Sequence, residues 1–177
     1  MKIRVEDIPK EGMHLNFRWG QESIEPFLTP NDPYQMQIQE PLEVAVFIKK
    51  IGDYIHVTGE LHGELVVPCH RCLEAFIFPM NASIETFLYP PRYLGSSKEE
   101  VELDEEDMEQ EFFDGEEIDL DVIVAEEIFL NFPPVLLCSP HCKGLCPKCG
   151  SNLNTSPCNC KREGDSPFAV LARWKTK

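Results

Sequence analysis

The residues best placed to do chemistry are eight cysteines in four close pairs: Cys69 and Cys72, Cys138 and Cys142, Cys146 and Cys149, and Cys158 and Cys160. In Cys146-Pro147-Lys148-Cys149-Gly150, two intervening residues let a tight turn aim both sulfurs at one ion. Gly150 directly after supplies the backbone freedom such a knuckle needs. The Cys158-Asn159-Cys160 pair follows closely enough to close a tetrahedron, although its spacing is tighter than that of the usual zinc ribbon. The spacing therefore predicts a zinc ion on Cys146, Cys149, Cys158 and Cys160. A second four-thiolate site can join Cys69 and Cys72 to Cys138 and Cys142, with His70 or His141 able to replace a sulfur. The bland alternative is a set of buried or free thiols, and paired knuckles are a more specific signal than a lone C-x-x-C.

Two catalytic chemistries use similar residues. Zinc deaminases join H-x-E to a later P-C-x-x-C, and the chain contains His62-Gly63-Glu64 followed by Pro68-Cys69-His70-Arg71-Cys72. The gap between those elements is too short for the helices that normally carry them. A disulfide oxidoreductase sets its C-x-x-C at a helix N-terminus, which lowers a thiol pKa. Here Pro68 ends a strand-like run, Leu73 to Phe78 reads as strand, and no βαβ pattern surrounds the pair. No Ser/His/Asp spacing and no phosphate-cradling glycine loop occurs.

The positioning elements read as mainly β in the first half. Met13, Leu15, Phe17 and Trp19 alternate with polar residues, as do Leu42, Val44, Val46 and Ile48, the period of half-buried strands. Gly52-Asp53 predicts a tight hairpin into Tyr54 to Thr58. A separate run, Leu65 to Val67, stops at Pro68, and Phe76 to Tyr89 reads as a further strand ended by Pro90-Pro91. Gln21 to Pro33 reads as loop with one helical turn. Asp119 is a candidate N-cap for a helix to about Asn131 with Leu120, Ile123, Val124 and Ile128 on one face, ended by Pro133-Pro134. Ser166 and Pro167 predict a short C-terminal helix.

The net charge of −15 is concentrated: from Lys98 to Glu127 there are sixteen Asp or Glu and one Lys, and the remainder is neutral. Such a block is expected to be a solvated, mobile segment, or one that attracts a basic partner and opposes phosphate backbones. From Cys138 onward, seven Lys or Arg against two acidic residues modestly favour RNA contact. The first residues lack the apolar run of a signal peptide and no stretch is long enough to span a membrane, so a cytoplasmic location is expected, where cysteines serve as ligands or redox centres more often than as disulfides.

Three segments together resemble the YceD family of large ribosomal RNA subunit accumulation proteins. They are Cys69-His70-Arg71-Cys72-Leu73; Glu117-Ile118-Asp119-Leu120 running through Glu126-Glu127-Ile128-Phe129-Leu130 to Pro133; and Cys142-Lys143-Gly144-Leu145-Cys146-Pro147-Lys148-Cys149-Gly150-Ser151-Asn152-Leu153-Asn154. The ending Ser166 to Leu171 is also similar, whereas the first 65 residues match only in being strand-like. The resemblance implies a non-enzymatic factor for 23S rRNA accumulation and ribosome biogenesis, and genomic company with a small basic ribosomal protein. It brings no established catalytic site. Some members lack the C-P-x-C-G knuckle, which implies that Cys69, Cys72 and Cys142 belong to the older core.

The expected architecture is α+β and one integrated domain. Residues 1–91 form an antiparallel sheet carrying the first cysteine pair, 92–117 an acidic mobile segment, and 118–177 a covering helix with a zinc-bearing C-terminal part. The expected partner is rRNA, an assembly intermediate or a basic large-subunit ribosomal protein, with no membrane. The rival readings are a thiol-disulfide redox protein and a zinc-ribbon nucleic-acid module in transcription.

Overall fold

The computed structural model describes residues 1–29, 32, 34–90, 111–113, 116–156 and 158–160. The acidic stretch from Lys98 to Gln110 and the helix expected from Ser166 lie outside the described residues. Along the described chain the elements are β1 (Lys2–Arg4), β2 (Met13–Trp19), the single-turn α1 (Gln21–Ile24), β3 (Leu42–Ile51), β4 (Tyr54–Pro68), β5 (Ala75–Tyr89), β6 (Glu111–Phe112), β7 (Glu117–Asp119) and α2 (Leu120–Leu130). Short 3-10 turns follow β1 and α1.

The fold is α+β. Strands β2 to β5 form an antiparallel meander in chain order, and β6 adds a parallel pair beside Leu88 and Tyr89. Alternation sets the register: Val44 opposes Leu61, Ile48 opposes Val57, and Gly59 opposes Ile84, so one face of the sheet is continuously apolar. Gly52, at φ +59°, takes the first central position of the β3–β4 hairpin, where a left-handed backbone matches the strand twist. The two runs read from the sequence as separate, Tyr54 to Thr58 and Leu65 to Val67, are one fifteen-residue strand. Gly59 makes this continuity possible, because a side chain there would run into the Ala45 carbonyl oxygen.

Helix α2 covers the apolar face and packs chiefly on β5, burying Leu120, Ile123, Val124, Ala125 and Ile128. Its start is fixed by Asp119, whose carboxylate accepts the Asp121 N–H at 3.1 Å. The buried indole of Trp19 at the end of β2 donates to the Asp121 carboxylate at 2.8 Å, tying helix to sheet. Beyond Asn131 the chain turns at Phe132, which is buried and stacks on Tyr34 with centroids 4.5 Å apart. The small β1–β7 pair lies at the front of this helix and brings Ile118 into the core. Neither member has enough residues to show a period in the sequence. Glu111–Phe112 and Glu117, within the stretch read as acidic and mobile, lie in strands β6 and β7.

Candidate metal centres

The long β4–β5 hairpin projects past the rest of the meander and ends in the first cysteine pair. At its tip Cys69 N–H donates to Glu74 carbonyl at 2.9 Å, and Leu73 N–H donates to Cys69 carbonyl at 2.9 Å. These two bonds close a tight knuckle. Leu73, read from the sequence as strand, lies in this turn with φ +61°, and the strand begins only at Ala75. After α2 the chain returns to the tip: His70 N–H donates to Leu136 carbonyl at 2.8 Å, and Leu136 N–H donates to His70 Nδ1 at 3.3 Å. That return carries Cys138 and Cys142 to the knuckle, and it occupies His70 Nδ1 with the backbone.

The second knuckle repeats the first. Cys146 N–H donates to Ser151 carbonyl at 2.9 Å, Gly150 N–H to Cys146 carbonyl at 2.8 Å, and Gly150 has φ +72°. The knuckle is seated on the first by Leu145 N–H, which donates to Arg71 carbonyl at 3.1 Å, and by the Arg71 guanidinium, which donates to Cys142 carbonyl at 3.0 Å. Asn154, in the segment between Cys149 and Cys158, reaches back to the first set. Its Nδ2 donates to Cys142 Sγ at 3.3 Å, and its Oδ1 accepts Lys143 N–H at 2.8 Å.

The sulfurs fall into two groups of four, Cys69, Cys72, Cys138 and Cys142, and Cys146, Cys149, Cys158 and Cys160, each with all sulfurs within 4.8 Å of one another. In the first group the Cys69–Cys142 and Cys72–Cys138 sulfur separations are both 3.7 Å. Thiolates bound at ~2.3 Å to one tetrahedral ion lie roughly 3.8 Å apart, whereas a disulfide needs about 2.05 Å. The arrangement therefore suits a shared ion. Cys69, Cys72 and Cys142 are buried against Phe76, Leu137 and Leu145, with Cys138 at the surface. The second group is more open: Cys146 is buried, Cys158 half-buried, and Cys149 and Cys160 are exposed.

Crowding splits the thiols of each group. Burial pushes Cys69 up, but N–H groups of Cys138, Cys72 and Arg71 outweigh it and hold the thiol at about 6. Cys138, although at the surface, is pushed up to about 12 by desolvation of its sulfur within the group and by hydrogen bonds with Cys72, Cys69 and Cys142. In the second group the Ser151 hydroxyl and N–H hold Cys149 at about 6, and Cys149 in turn, with burial, pushes Cys160 up to about 12. Cys142 and Cys146 are lowered; Cys72 and Cys158 are raised. Each group thus holds one sulfur, Cys69 or Cys149, favoured as a thiolate, and two, Cys72 and Cys138 or Cys158 and Cys160, whose protonated form is favoured.

The His62-Gly63-Glu64 stretch is part of β4, not of a helix, and His62 is tied to Asn81 Oδ1 at 2.9 Å and to Glu60 at 3.3 Å. This removes the deaminase arrangement. The supporting residues Asn154, Ser151, Arg71 and His70 carry no spacing signature of their own.

A family model described as large ribosomal RNA subunit accumulation protein YceD matches residues 57–175, more than half of the chain. The chain belongs to the YceD family. An uncharacterized protein of Mycobacterium tuberculosis is 30% identical over 131 residues, covering 73% of this chain and 60% of the relative. The chloroplastic large ribosomal RNA subunit accumulation protein YCED homolog 1 of Arabidopsis thaliana is 29% identical over 144 residues, 70% of this chain and 44% of that one. Its namesake in Zea mays is 48% identical over 46 residues, 25% of this chain and 16% of that one. The chain therefore spans about 60% or less of the length of these relatives. No solved structure matches it. Among the described residues, no helix is long and apolar enough to cross a membrane.

Proposed function

We propose that this chain is a non-enzymatic factor for the accumulation of large-subunit ribosomal RNA, 23S rRNA in a bacterium, and that both cysteine groups hold zinc. In this reading it works in the cytoplasm by binding an assembly intermediate, the rRNA or a basic large-subunit ribosomal protein. The observation that carries the role is the family match over residues 57–175, which spans the β4–β5 hairpin, α2 and both cysteine groups. Zinc fits the donor set because soft thiolates in tetrahedral array favour it over oxygen-seeking Mg²⁺ or Ca²⁺. When bound on four protein sulfurs, zinc supplies folding energy and no open position for a reacting water. The chain's own residues do the rest: the hairpin tip, the return after α2 and the second knuckle are fixed to one another as a rigid end of the sheet.

Depleting the chain from its host tests the role. The ratio of large- to small-subunit rRNA should fall and recover when the chain is supplied again. An unchanged ratio under complete depletion overturns the reading. The redox alternative draws on the low Cys69 thiol. Cys69→Ser distinguishes the two: loss of metal and of partner binding together supports a structural ligand, whereas a folded, metal-loaded variant lacking only thiol exchange supports the redox reading.

A further inference from the structure

The two knuckles have the same hydrogen bonds but differ at the residue after the second cysteine. The second knuckle has Gly150 at φ +72°, as a left-handed backbone favours; the first has Leu73 at φ +61°. A residue with a Cβ is disfavoured there, and Leu73 gains no burial in exchange, since it is 67% exposed. The outer face of β5 continues the feature. Ala75, Ile77 and Pro79 all point outward and are exposed, Ile77 at 60%, while Val66 and Pro68 lie opposite Ile77 and Ala75 on β4. Further along the same face the outward residues turn polar at Asn81, Ser83 and Glu85. These polar residues separate the apolar row at the hairpin end, which the cysteine groups would rigidify, from Phe87 at the far end of the strand.

We propose that Leu73 is the anchor of a docking face, formed with Ala75, Ile77 and Pro79, for a basic protein that presents an apolar pocket rimmed by lysine or arginine. Charge selects this occupant. Glu64, opposite Pro79, and Glu74, next to Leu73, are exposed beside the row, and the Arg71 guanidinium at the tip is turned back to the Cys142 carbonyl. Carboxylates beside an apolar anchor attract cationic side chains and repel a phosphate backbone, so the face suits protein rather than RNA. Strain held at an exposed position points to use of that side chain, and a rigid apolar anchor needs little ordering on binding. The inference rests on the binding role proposed above and names the partner class for it.

The test uses the full chain loaded with zinc, the purified basic proteins of the large ribosomal subunit one at a time, and a large-subunit rRNA transcript in parallel, at physiological salt. Wild type should bind one of the proteins, and Leu73→Gly should weaken that binding about thirtyfold, as loss of an interface hot spot does. The same variant should keep its zinc and melt no lower than wild type, because glycine relieves the left-handed backbone. Ile77→Ser should weaken binding with zinc retained. If wild type binds a ribosomal protein and both variants bind it equally, the docking face is overturned while the binding role stands. Binding of the transcript alone, lost in Leu73→Gly, overturns the partner class. A wild-type dimer that Leu73→Gly dissociates makes the occupant a second copy and overturns it too. Failure to bind any of the purified proteins overturns this inference, while the role itself is judged by the depletion experiment.

Discussion

Replacing Asn154 by alanine probes whether the two cysteine groups act as one unit. The Asn154 amide donates to Cys142 Sγ at 3.3 Å, and with the Gly144 N–H it lowers the Cys142 thiol against burial. Asn154 itself belongs to the loop closed by the second group, between Cys149 and Cys158. Removing a hydrogen bond to a metal ligand costs ten- to a hundredfold in affinity. Because Asn154 is exposed, the lower end applies, about tenfold or ~1.4 kcal/mol at the first site. Asn154→Asp should do worse, since it keeps an acceptor for Lys143 N–H but sets a negative charge beside the thiolate. Cys149→Ser with Cys160→Ser should lower first-site affinity by a similar factor by loosening the loop that holds Asn154, and linkage requires the effect to be reciprocal. Competitive zinc titration against a chromophoric chelator measures each constant, with cobalt substitution reporting the sites spectroscopically. First-site affinity within twofold of wild type in all three variants would refute the coupling.

Metal binding should be steeply pH-dependent: with Cys138 and Cys160 held up to about 12, and Cys72 and Cys158 also raised, each ion displaces at least two protons near neutrality. Affinity should fall by at least roughly a hundredfold per unit as pH is lowered, and calorimetry in buffers of different ionisation enthalpy should count at least two protons per ion; one or none would be against it. Gly59→Ala should destabilise by about 2 kcal/mol or more in urea unfolding, because the new methyl meets the Ala45 carbonyl in a packed sheet. Asp119→Ala should cost about 1 kcal/mol through the lost N-cap, with metal content unchanged.

Elements with long periods or explicit punctuation were legible in the sequence. The alternation of Leu42 to Ile48, the Gly52-Asp53 turn, and α2 between Asp119 and Pro133 each carry a local physical signal that tertiary packing reinforces. The grouping of the cysteines was legible for the same reason, since knuckle spacing encodes where two sulfurs point. Strands β1 and β7 were not: each has three residues, and they pair across more than a hundred residues of chain, with Ile118 in the core. The continuity of β4 was obscured by Gly59 and Gly63, which weaken strand propensity yet are required by close neighbours on β3. Leu73 looked like strand because its side chain suits one; its left-handed backbone is imposed by the knuckle. Asn154 ends the third family-like segment, but its role was not legible, because a hydrogen bond to sulfur across twelve residues leaves no periodic trace.

Everything proposed for the hairpin end depends on the eight cysteines being ligands, and metal content tests that most directly. Full-length protein purified without chelators should contain two zinc ions per chain, falling to one in Cys160→Ser, with thiols that react only after metal is removed. A content near zero, with all eight thiols freely titratable in the folded protein, would contradict the account.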